Sequence, residues 1–416
     1  MRPGLAPRVV TYTALGAAAL VVGLVASEPA AVALGASFLV PVVYGLAAPR
    51  PVLPHCTVEL PVDRLLEGDA LDVTLILSAD EAIDWLELEV VVPPRARLVT
   101  GGARRVLGLA AGETRTLELV VEYPVWGAFP ADAVRLAGRN RIFLTEARAT
   151  RDATRIVRVY PSLQRLRRLV GPLATRPASG ARPAATAGEG IEFADVRAFR
   201  AGERLRRINW RASARHGDLL VTDRHLERSS DVVVFLDSLE EATGDEGSTL
   251  DLAVRALATV SAAFLRQRDR VGLLNFAGDL DWVLPSSGPR QQYRIAEAVL
   301  SSETGRLYRW RDTRLIPDRV LPPQSLVLAV TPLVDWRVTR ALLNLRARGY
   351  DLAILEVDPV PFAAAGRATH NPEAWRLWLL ERDVIRQAFA RAGVPIARWD
   401  GERPLAAAVE ELASTR

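Results

Sequence analysis

The sequence predicts an α/β protein with two N-terminal transmembrane helices, a β-sandwich domain and a C-terminal doubly wound sheet. Two uncharged apolar runs begin the chain, short β-rich runs follow, and strands then alternate with helical patterns. A length of 416 residues is enough for two or three domains. We expect a transmembrane hairpin at 1–50, a β-sandwich at 51–162, a basic helix and linker at 163–187, an arginine-rich segment at 188–230 and an α/β domain at 231–416.

The first two helices are predicted to cross a membrane as a hairpin. Val9 to Ala26 and Ala30 to Ala48 carry no charge, and each is long enough to span most of a hydrocarbon core. Arg2, Arg8 and Arg50 flank the pair, so the positive-inside rule places both ends, and the domains that follow, in the cytoplasm. A cleaved signal peptide is the competing interpretation, but the second uncharged span argues against it.

The composition excludes several kinds of chemistry. All 53 basic residues are arginine, so the sequence has no P-loop lysine, no kinase phosphate-binding lysine and no Schiff-base lysine. One cysteine, Cys56, and four scattered histidines give no zinc spacing and no internal disulfide. The net charge of +4 gives no indication of nucleic-acid binding. We therefore expect no cofactor and no nucleic-acid partner.

The middle of the chain favours a small all-β domain. Residues 54–161 contain short apolar–polar runs separated by Gly, Pro and Asp turn signals, which is typical of an immunoglobulin-like sandwich. Leu163 to Val170 is then predicted to be a short basic helix, and Gly171 to Gly188 a flexible linker or an extended strap. The predicted strands are Thr57 to Leu60, Leu71 to Ser78, Trp85 to Val92, Arg115 to Tyr123, Ala133 to Leu136 and Ile156 to Tyr160.

The C-terminal part predicts a doubly wound sheet because strand and helix periods alternate there. Its best-marked helix follows Asn371, with Pro372 at the first position and Gly393 after the end. We expect strands at 232–237, 270–276, 280–284, 326–331, 351–357 and 395–398, with helices at 249–268, 290–301, 336–348, 372–392 and 404–412.

The segment from Gly188 to Asp237 carries the most specific pattern. Seven arginines lie within nineteen residues around Trp210, and an apolar strand follows them. The motif positions are Gly190, Glu192, Phe193, Arg197, Gly202, Arg207, Ile208, Trp210, Ser213, Ala214, Arg215, Gly217 and Leu219. In this order they resemble the signature of the domain of unknown function 58 family. Phe199 and Glu203 are mild departures from that signature, which otherwise has tyrosine and aspartate there.

This resemblance implies a partner as well as an architecture. Members of the family usually carry a β region between their membrane spans and the signature. They are commonly encoded beside MoxR-type AAA+ ATPases, which implies a membrane-associated assembly in which the ATPase supplies energy and this chain supplies the dock.

The order of elements after the signature also resembles a von Willebrand factor A domain, with Asp237 at the end of the first strand. Domains of that kind bind Mg²⁺ through oxygen ligands of a D-x-S-x-S motif and of later loops. In this chain Leu239 and Glu241 occupy the serine positions, and Pro332 stands where an aspartate is expected, with Asp335 three residues later. We therefore regard Asp237 as a vestigial metal position and expect no bound Mg²⁺.

Two functions remain in competition. The first is a membrane-anchored, non-catalytic interaction or adaptor protein; the second is an enzyme or binding protein that acts on an anionic ligand through the arginine cluster. We favour the first, because the sequence shows no paired carboxylates and no Ser/His/Asp arrangement. The cluster is either a structural lock or a partner or anion site, and Trp210 is predicted to be buried. The candidate residues are Glu192, Phe193, Arg197, Arg200, Arg207, Trp210, Arg211, Ser213 and Arg215.

Overall fold

The protein combines helices with several sheets, and two apolar helices lie near its N-terminus. The mixed α/β architecture predicted from the sequence is thereby confirmed. The chain divides into two compact units, Met1–Tyr160 and Pro161–Arg416. A computed structural model describes residues 2–5, 7–47, 51–140, 143–152, 154–171, 176–200, 208–244, 247–277, 280–300, 320–363 and 371–415, and it describes the side chains of these except 2–5, 7, 176–195 and 222–229.

Two apolar helices, α1 (Pro7–Ala26) and α2 (Pro29–Ala47), pack side by side in the first unit. Both are long and apolar enough to span a membrane. They approach closely at two glycines, since a Cβ atom added to Gly16 would lie 2.6 Å from Leu39 Cγ and 3.2 Å from the carbonyl oxygen of Gly35. Large aliphatic side chains cover the outer surface of the pair, and such a surface is typical of contact with lipid.

Strands make up most of the remainder of the first unit. Their inward side chains alternate with polar ones, as in Leu71, Val73, Leu75 and Leu77, and they form one apolar core. The described strands are β1 (Arg2–Leu5), β2 (His55–Glu59), β3 (Arg64–Leu66), β4 (Ala70–Ser78), β5 (Ile83–Val90), β6 (Arg97–Thr100), β7 (Arg104–Leu109), β8 (Thr114–Glu122), β9 (Gly127–Pro130), β10 (Val134–Arg139), β11 (Thr145–Arg151) and β12 (Ile156–Tyr160).

Three sheets share this core. Their strand orders are β1-β11-β10-β5-β7, β2-β4-β8-β6 and β3-β12-β9. Side chains of β4 and β8 in the second sheet meet those of β5 and β10 in the first, while β9 and β12 contribute Phe129, Val157 and Val159 from the third. The core therefore lies between sheets, as sheet-on-sheet packing requires.

The second unit contains a six-stranded sheet with the order β19-β18-β15-β20-β21-β22, in which β19 is antiparallel and the other strands are parallel. Every residue of β15, β20 and β21 is buried, so both faces of the sheet are covered. The strands of this unit are β13 (Arg176–Ala198), β14 (Leu220–Ser229), β15 (Asp231–Asp237), β16 (Thr243–Gly244), β17 (Gly247–Ser248), β18 (Arg270–Phe276), β19 (Leu280–Ser286), β20 (Leu326–Thr331), β21 (Asp351–Val357) and β22 (Ile396–Trp399).

The helices of the second unit differ in how deeply they are buried. The first long one begins with a capping box, in which Ser248 and Asp251 satisfy each other's backbone N–H groups. The described helices are α3 (Trp210–His216), α4 (Thr249–Arg266), α5 (Pro289–Leu300), α6 (Trp336–Ala347), α7 (Pro372–Arg391) and α8 (Leu405–Ser414).

The basic helix predicted at Leu163 to Val170 is wrong, because residues 161–170 form no helix. Polar contacts hold this segment against the domain instead. The N–H of Gln164 donates to Thr259 Oγ1 at 3.3 Å, and its side-chain oxygen accepts from the N–H of Leu405 at 3.1 Å. Pro404, which precedes α8, makes no side-chain cap, so Gln164 supplies the cap from a distant part of the chain.

Candidate functional site

The carboxyl edge of the six-stranded sheet holds a buried carboxylate. Asp237 ends β15 and is 2% exposed. Its Oδ2 accepts a hydrogen bond from Thr331 Oγ1 at 2.6 Å, and its Oδ1 accepts one from the N–H of Leu239 at 3.2 Å. Thr331 ends the neighbouring strand β20, so the parallel pairing of β15 and β20 brings the two side chains together. Protein groups therefore satisfy both oxygens of this carboxylate.

Burial changes the acidity of Asp237. Desolvation raises its pKa to about 7, and the nearby carboxylates of Asp335 and Glu240 act in the same direction. The hydrogen bonds from Thr331 and Leu239 lower the pKa, but they do not outweigh the desolvation. Near neutral pH this carboxyl is therefore partly protonated.

The neighbouring positions that could supply metal ligands have other partners. Ser238 is buried and donates to Asn275 Oδ1 at 2.7 Å. Asp335 caps α6 by accepting from the N–H of Arg337 at 2.7 Å, and its carboxylate also pairs with the Arg337 guanidinium. Asp335 therefore does not replace the aspartate missing at Pro332. Within the described ranges, no group of three or more His, Cys, Asp or Glu side chains is placed to hold a metal ion.

The same edge exposes a tryptophan beside an acidic loop. Trp336 is the first residue of α6 and is 61% exposed, with the guanidinium of Arg340 5.6 Å from the centre of its ring. Glu240, in the loop that follows β15, lies 3.9 Å from Arg337. This acidic loop also contains Glu241, while Asp245 and Glu246 lie outside the described residues. The sequence signals for this surface were Asp237 at the end of the β15 run, the acidic residues Glu240 and Glu241 that follow it, and Asp335 just before α6.

A buried ion-pair network anchors the loop that follows β20. Arg382 of α7 and Glu356 of β21 pair at 3% and 0% side-chain exposure, and Arg386 also binds Glu356 at 2.8 Å. The Arg382 guanidinium further donates to the carbonyl oxygen of Pro332 at 2.8 Å. Burial lowers the pKa of Arg382, whereas hydrogen bonding to Glu356 raises that of Arg386. Sequence reasoning missed this network because its members lie far apart in the chain.

The signature helix α3 is held by local polar contacts. Asn209 caps it by accepting from the N–H of Ala212 at 3.0 Å, and Gly217 ends it with φ +80°. Ser213 is buried, and its hydroxyl oxygen accepts from the N–H of Leu220 at 2.8 Å. These contacts give the Asn, Ser and Gly positions of the motif a structural role, in closing the turn between α3 and β14.

The prediction that Trp210 is buried is wrong. Its ring is 65% exposed at the first position of α3. The physical reason is that α3 is only seven residues long and packs through Ser213, so the structure describes no groove that the tryptophan could fill. Arg211 and Arg215 on the same helix are also exposed and form no ion pair with a described residue. Whether the arginine cluster is a structural lock or a binding site therefore stays a prediction, since Glu192 and residues 201–207 lie outside the described side chains.

The other signature positions are only partly described. Arg197 is half-buried, and its guanidinium donates to the carbonyl oxygen of Ala198 at 3.2 Å, while Arg200 is exposed. Glu192 and Phe193 belong to β13, but their side chains lie outside the described residues, as does the whole of Arg207. The arrangement of these three side chains stays a prediction.

A half-open cleft of about 590 Å³ lies at the opposite edge of the sheet, where β21 and β22 begin. Its arginines already have partners: Arg398 pairs with Asp358 at 2.6 Å, and Arg346 donates to the carbonyl oxygen of Ala392 at 3.1 Å. The cleft is therefore less suited to an anionic ligand than its composition suggests.

Comparisons with known proteins agree with the signature but leave the function open. The fold and site define a mixed α/β protein with a closed carboxylate at the sheet edge. Residues 195–392 match the family model described as protein of unknown function DUF58, which supports the family that the motif resembles. No curated protein matches the chain.

Similarity to solved structures is low. A FixG-related protein from Vibrio parahaemolyticus is 10% identical with a TM-score of 0.17, and the match covers 25% of this chain and 98% of that one. Alpha-2-macroglobulin from Escherichia coli is 18% identical with a TM-score of 0.21, and the match covers 36% of this chain and 20% of that one. Scores this low carry no argument about fold or function.

Proposed function

We propose that the chain is a membrane-anchored, non-catalytic interaction protein that docks a partner at the carboxyl edge of its six-stranded sheet. The observation that carries this proposal is the closed state of Asp237, whose oxygens accept hydrogen bonds from Thr331 and Leu239. Because protein groups already bind both oxygens of Asp237, we expect a partner to recognise the shape and charge of this edge and not a metal ion held there. The exposed ring of Trp336 supplies the kind of aromatic anchor on which binding energy concentrates.

The second unit is, in this proposal, a von Willebrand factor A-like domain that works without a metal. Its strand order supports this assignment. The first strand, β15, is central, the second and third (β18 and β19) lie on one side, and the fourth to sixth lie on the other. The antiparallel third strand supports it as well.

The partner we propose is a MoxR-type AAA+ ATPase acting at the cytoplasmic face of the membrane. The signature supports this partner through the family it resembles. The lack of lysine in the sequence supports it too, because a chain without a P-loop lysine leaves nucleotide hydrolysis to another protein. Arg2, Arg8 and Arg50 beside the apolar helices support a cytoplasmic location for both soluble units.

The test is the affinity of the full chain in detergent for such an ATPase, measured by titration calorimetry. Trp336→Ala should weaken binding by about tenfold or more, as loss of an interface hot spot does. Tyr293→Ala is the matched control, because Tyr293 is 63% exposed and lies on α5, away from the carboxyl edge. EDTA, added with the ATPase free of nucleotide, should leave the affinity unchanged. Loss of binding in EDTA, or equal effects of the two substitutions, would contradict docking at this edge.

The signature helix favours a second function, binding of an anionic ligand. Its exposed Trp210 lies beside two exposed arginines, Arg211 and Arg215. Guanidinium groups bind phosphate or carboxylate oxygens in a bidentate manner. Titration with inorganic phosphate should then show binding that Arg211→Ala and Arg215→Ala each weaken. Unchanged affinity in both variants would remove this function.

A further inference from the structure

Helix α7 presents an apolar stripe to solvent. Leu377, Leu380 and Val384 are 67%, 60% and 64% exposed. They recur at spacings of three and four residues, so they form one row along the helix. The opposite face attaches the helix to the sheet through buried Arg382 and Phe389. The described part of the chain therefore leaves this stripe uncovered.

Charges on one edge of the stripe have a self-complementary order. Arg376 and Asp383 are seven residues apart, which is almost two helical turns, so they lie on the same edge. Both are exposed, Asp383 by 61% of its side chain. Asp383 binds Arg386 of its own helix at 2.7 Å, whereas Arg376 forms no ion pair with any described residue.

We propose that this stripe binds a second copy of the chain, with two antiparallel α7 helices related by a two-fold axis at Leu380. In such a pair each edge of the stripe faces the same edge of the other helix, with the chain direction reversed. Leu380 then meets Leu380 of the second copy, Leu377 meets Val384, and Arg376 meets Asp383. An axis at residue 380 places position 377 level with 383 and position 376 level with 384, so each of these pairs is offset by one residue, or about 1.5 Å, which the side chains can span.

The charges on the other edge of the stripe disfavour the dimer, but by less than the Arg376–Asp383 pairs favour it. Glu381 lies beside the proposed axis, so the glutamates of the two copies approach each other. Two ion pairs oppose this one repulsion, and all of these charges lie at the solvent-exposed rim, where such terms are small. A contact made by a single helix face also falls short of the roughly 1,200 Å² that specific stable interfaces bury. The dimer is therefore weak and reversible.

A lipid surface is the alternative occupant of the stripe, and the neighbouring charges argue against it. Glu373, Glu381 and Asp383 are all exposed beside the apolar row. An anionic bilayer attracts basic segments and repels acidic ones. The second copy, which offers Arg376 to Asp383, fits the surface better.

Sedimentation equilibrium of the full chain in density-matched detergent tests the charge pairing. Arg376→Glu and Asp383→Arg should each weaken the dimer by about tenfold or more, because each turns two attractions into two repulsions. A mixture of the two variants should form a heterodimer, since position 376 of each copy would again face a group of opposite charge at position 383 of the other. Glu381→Gln should tighten the dimer. Wild-type protein that stays monomeric throughout, or variants that fail to associate when mixed, would overturn the proposal.

A disulfide trap tests the register. In a Cys56→Ser background, Leu380→Cys should cross-link readily under mild oxidation, because residue 380 lies on the axis. Tyr293→Cys, with similar exposure on another helix, should not. Equal cross-linking of the two variants would overturn the register. Protection of Leu380→Cys from maleimide only when vesicles are present would assign the stripe to lipid and also overturn the proposal.

Discussion

Two long helices of the second unit, α4 and α7, make opposite use of their apolar residues. α4 buries fifteen of its 18 residues, whereas α7 buries only two of its 20. The apolar residues of α4 stabilise the domain core, and those on the outer row of α7 contribute nothing to it. Helix α7 is attached instead by Phe389 and by the ion pair of Arg382. An exposed or buried apolar side chain therefore has a different role in each helix. In α4 it belongs to the domain core, and on the outer row of α7 it belongs to the surface proposed to bind a second copy.

The strongest test of this contrast is truncation of the α4 core. Phe264 is 1% exposed, and Phe264→Ala should lower the free energy of unfolding by about 3–5 kcal/mol through lost burial and a residual cavity. Leu377→Ala on α7 is the control and should change it by less than about 0.5 kcal/mol. Urea denaturation of the full chain in detergent measures both. Similar losses in the two variants would show that the α7 stripe belongs to the core after all.

The attachment of α7 should depend on its ion pair. Arg382→Ala leaves Glu356 buried with one arginine partner instead of two, so we expect a loss of about 3 kcal/mol, at the low end of the range for a broken buried pair. Arg391→Ala, on the exposed part of the same helix, should have almost no effect. The same denaturation assay compares them. A loss below about 1 kcal/mol for Arg382→Ala would mean that packing alone holds the helix.

The carboxyl edge beside these helices should respond to pH. The folded-state pKa of Asp237, about 7, lies above that of an unfolded aspartate, so the folded protein binds the proton more tightly. Its contribution to stability is therefore most favourable below about pH 4 and is lost as pH rises toward 7. Between pH 5 and 7 we expect a loss of about 2–3 kcal/mol that Asp237→Asn removes. If the free energy of unfolding of the wild type and of Asp237→Asn changes with pH in the same way, another group causes the pH dependence.

The smallest expected effect is at the signature tryptophan. Because Trp210 is 65% exposed, Trp210→Ala should change the free energy of unfolding by less than about 0.5 kcal/mol. Thermal or urea denaturation of this variant beside Phe264→Ala separates a surface tryptophan from a core aromatic. A loss of several kcal/mol would show that the ring is covered in solution.

The sequence predicted elements best where burial is complete on both faces. The predicted bounds of β18, β20 and β21 agree with the structure, since an uninterrupted apolar run bounded by polar residues identifies such strands. Among the strands it missed, β3 and β9 are short and carry charged or turn-forming residues. Their pairing with distant strands, not their own pattern, makes them strands.

The candidate site was predictable only in part, for a related reason. Asp237 was identified because it ends an apolar strand, but its bond to Thr331 depends on the parallel pairing of strands 94 positions apart. The helix predicted at Leu163 to Val170 had suitable local composition, yet tertiary contacts of Gln164 hold that segment in another conformation. The exposure of Trp210 could not be predicted from the sequence either, because an aromatic ring among arginines is compatible with a groove or with an open surface.

The contact between Gln164 and α8 determines how the protein can be divided. The family match spans residues 195–392, so it excludes Gln164, the edge strand β22 and the whole of α8. A fragment cut to the matched residues would leave β21 as an unprotected sheet edge and expose the apolar surface that α8 covers. A soluble version that begins after Gln164 would lose the cap of α8 even if its C-terminus were complete. A fragment that keeps both contacts must therefore extend beyond residues 195–392 at both ends.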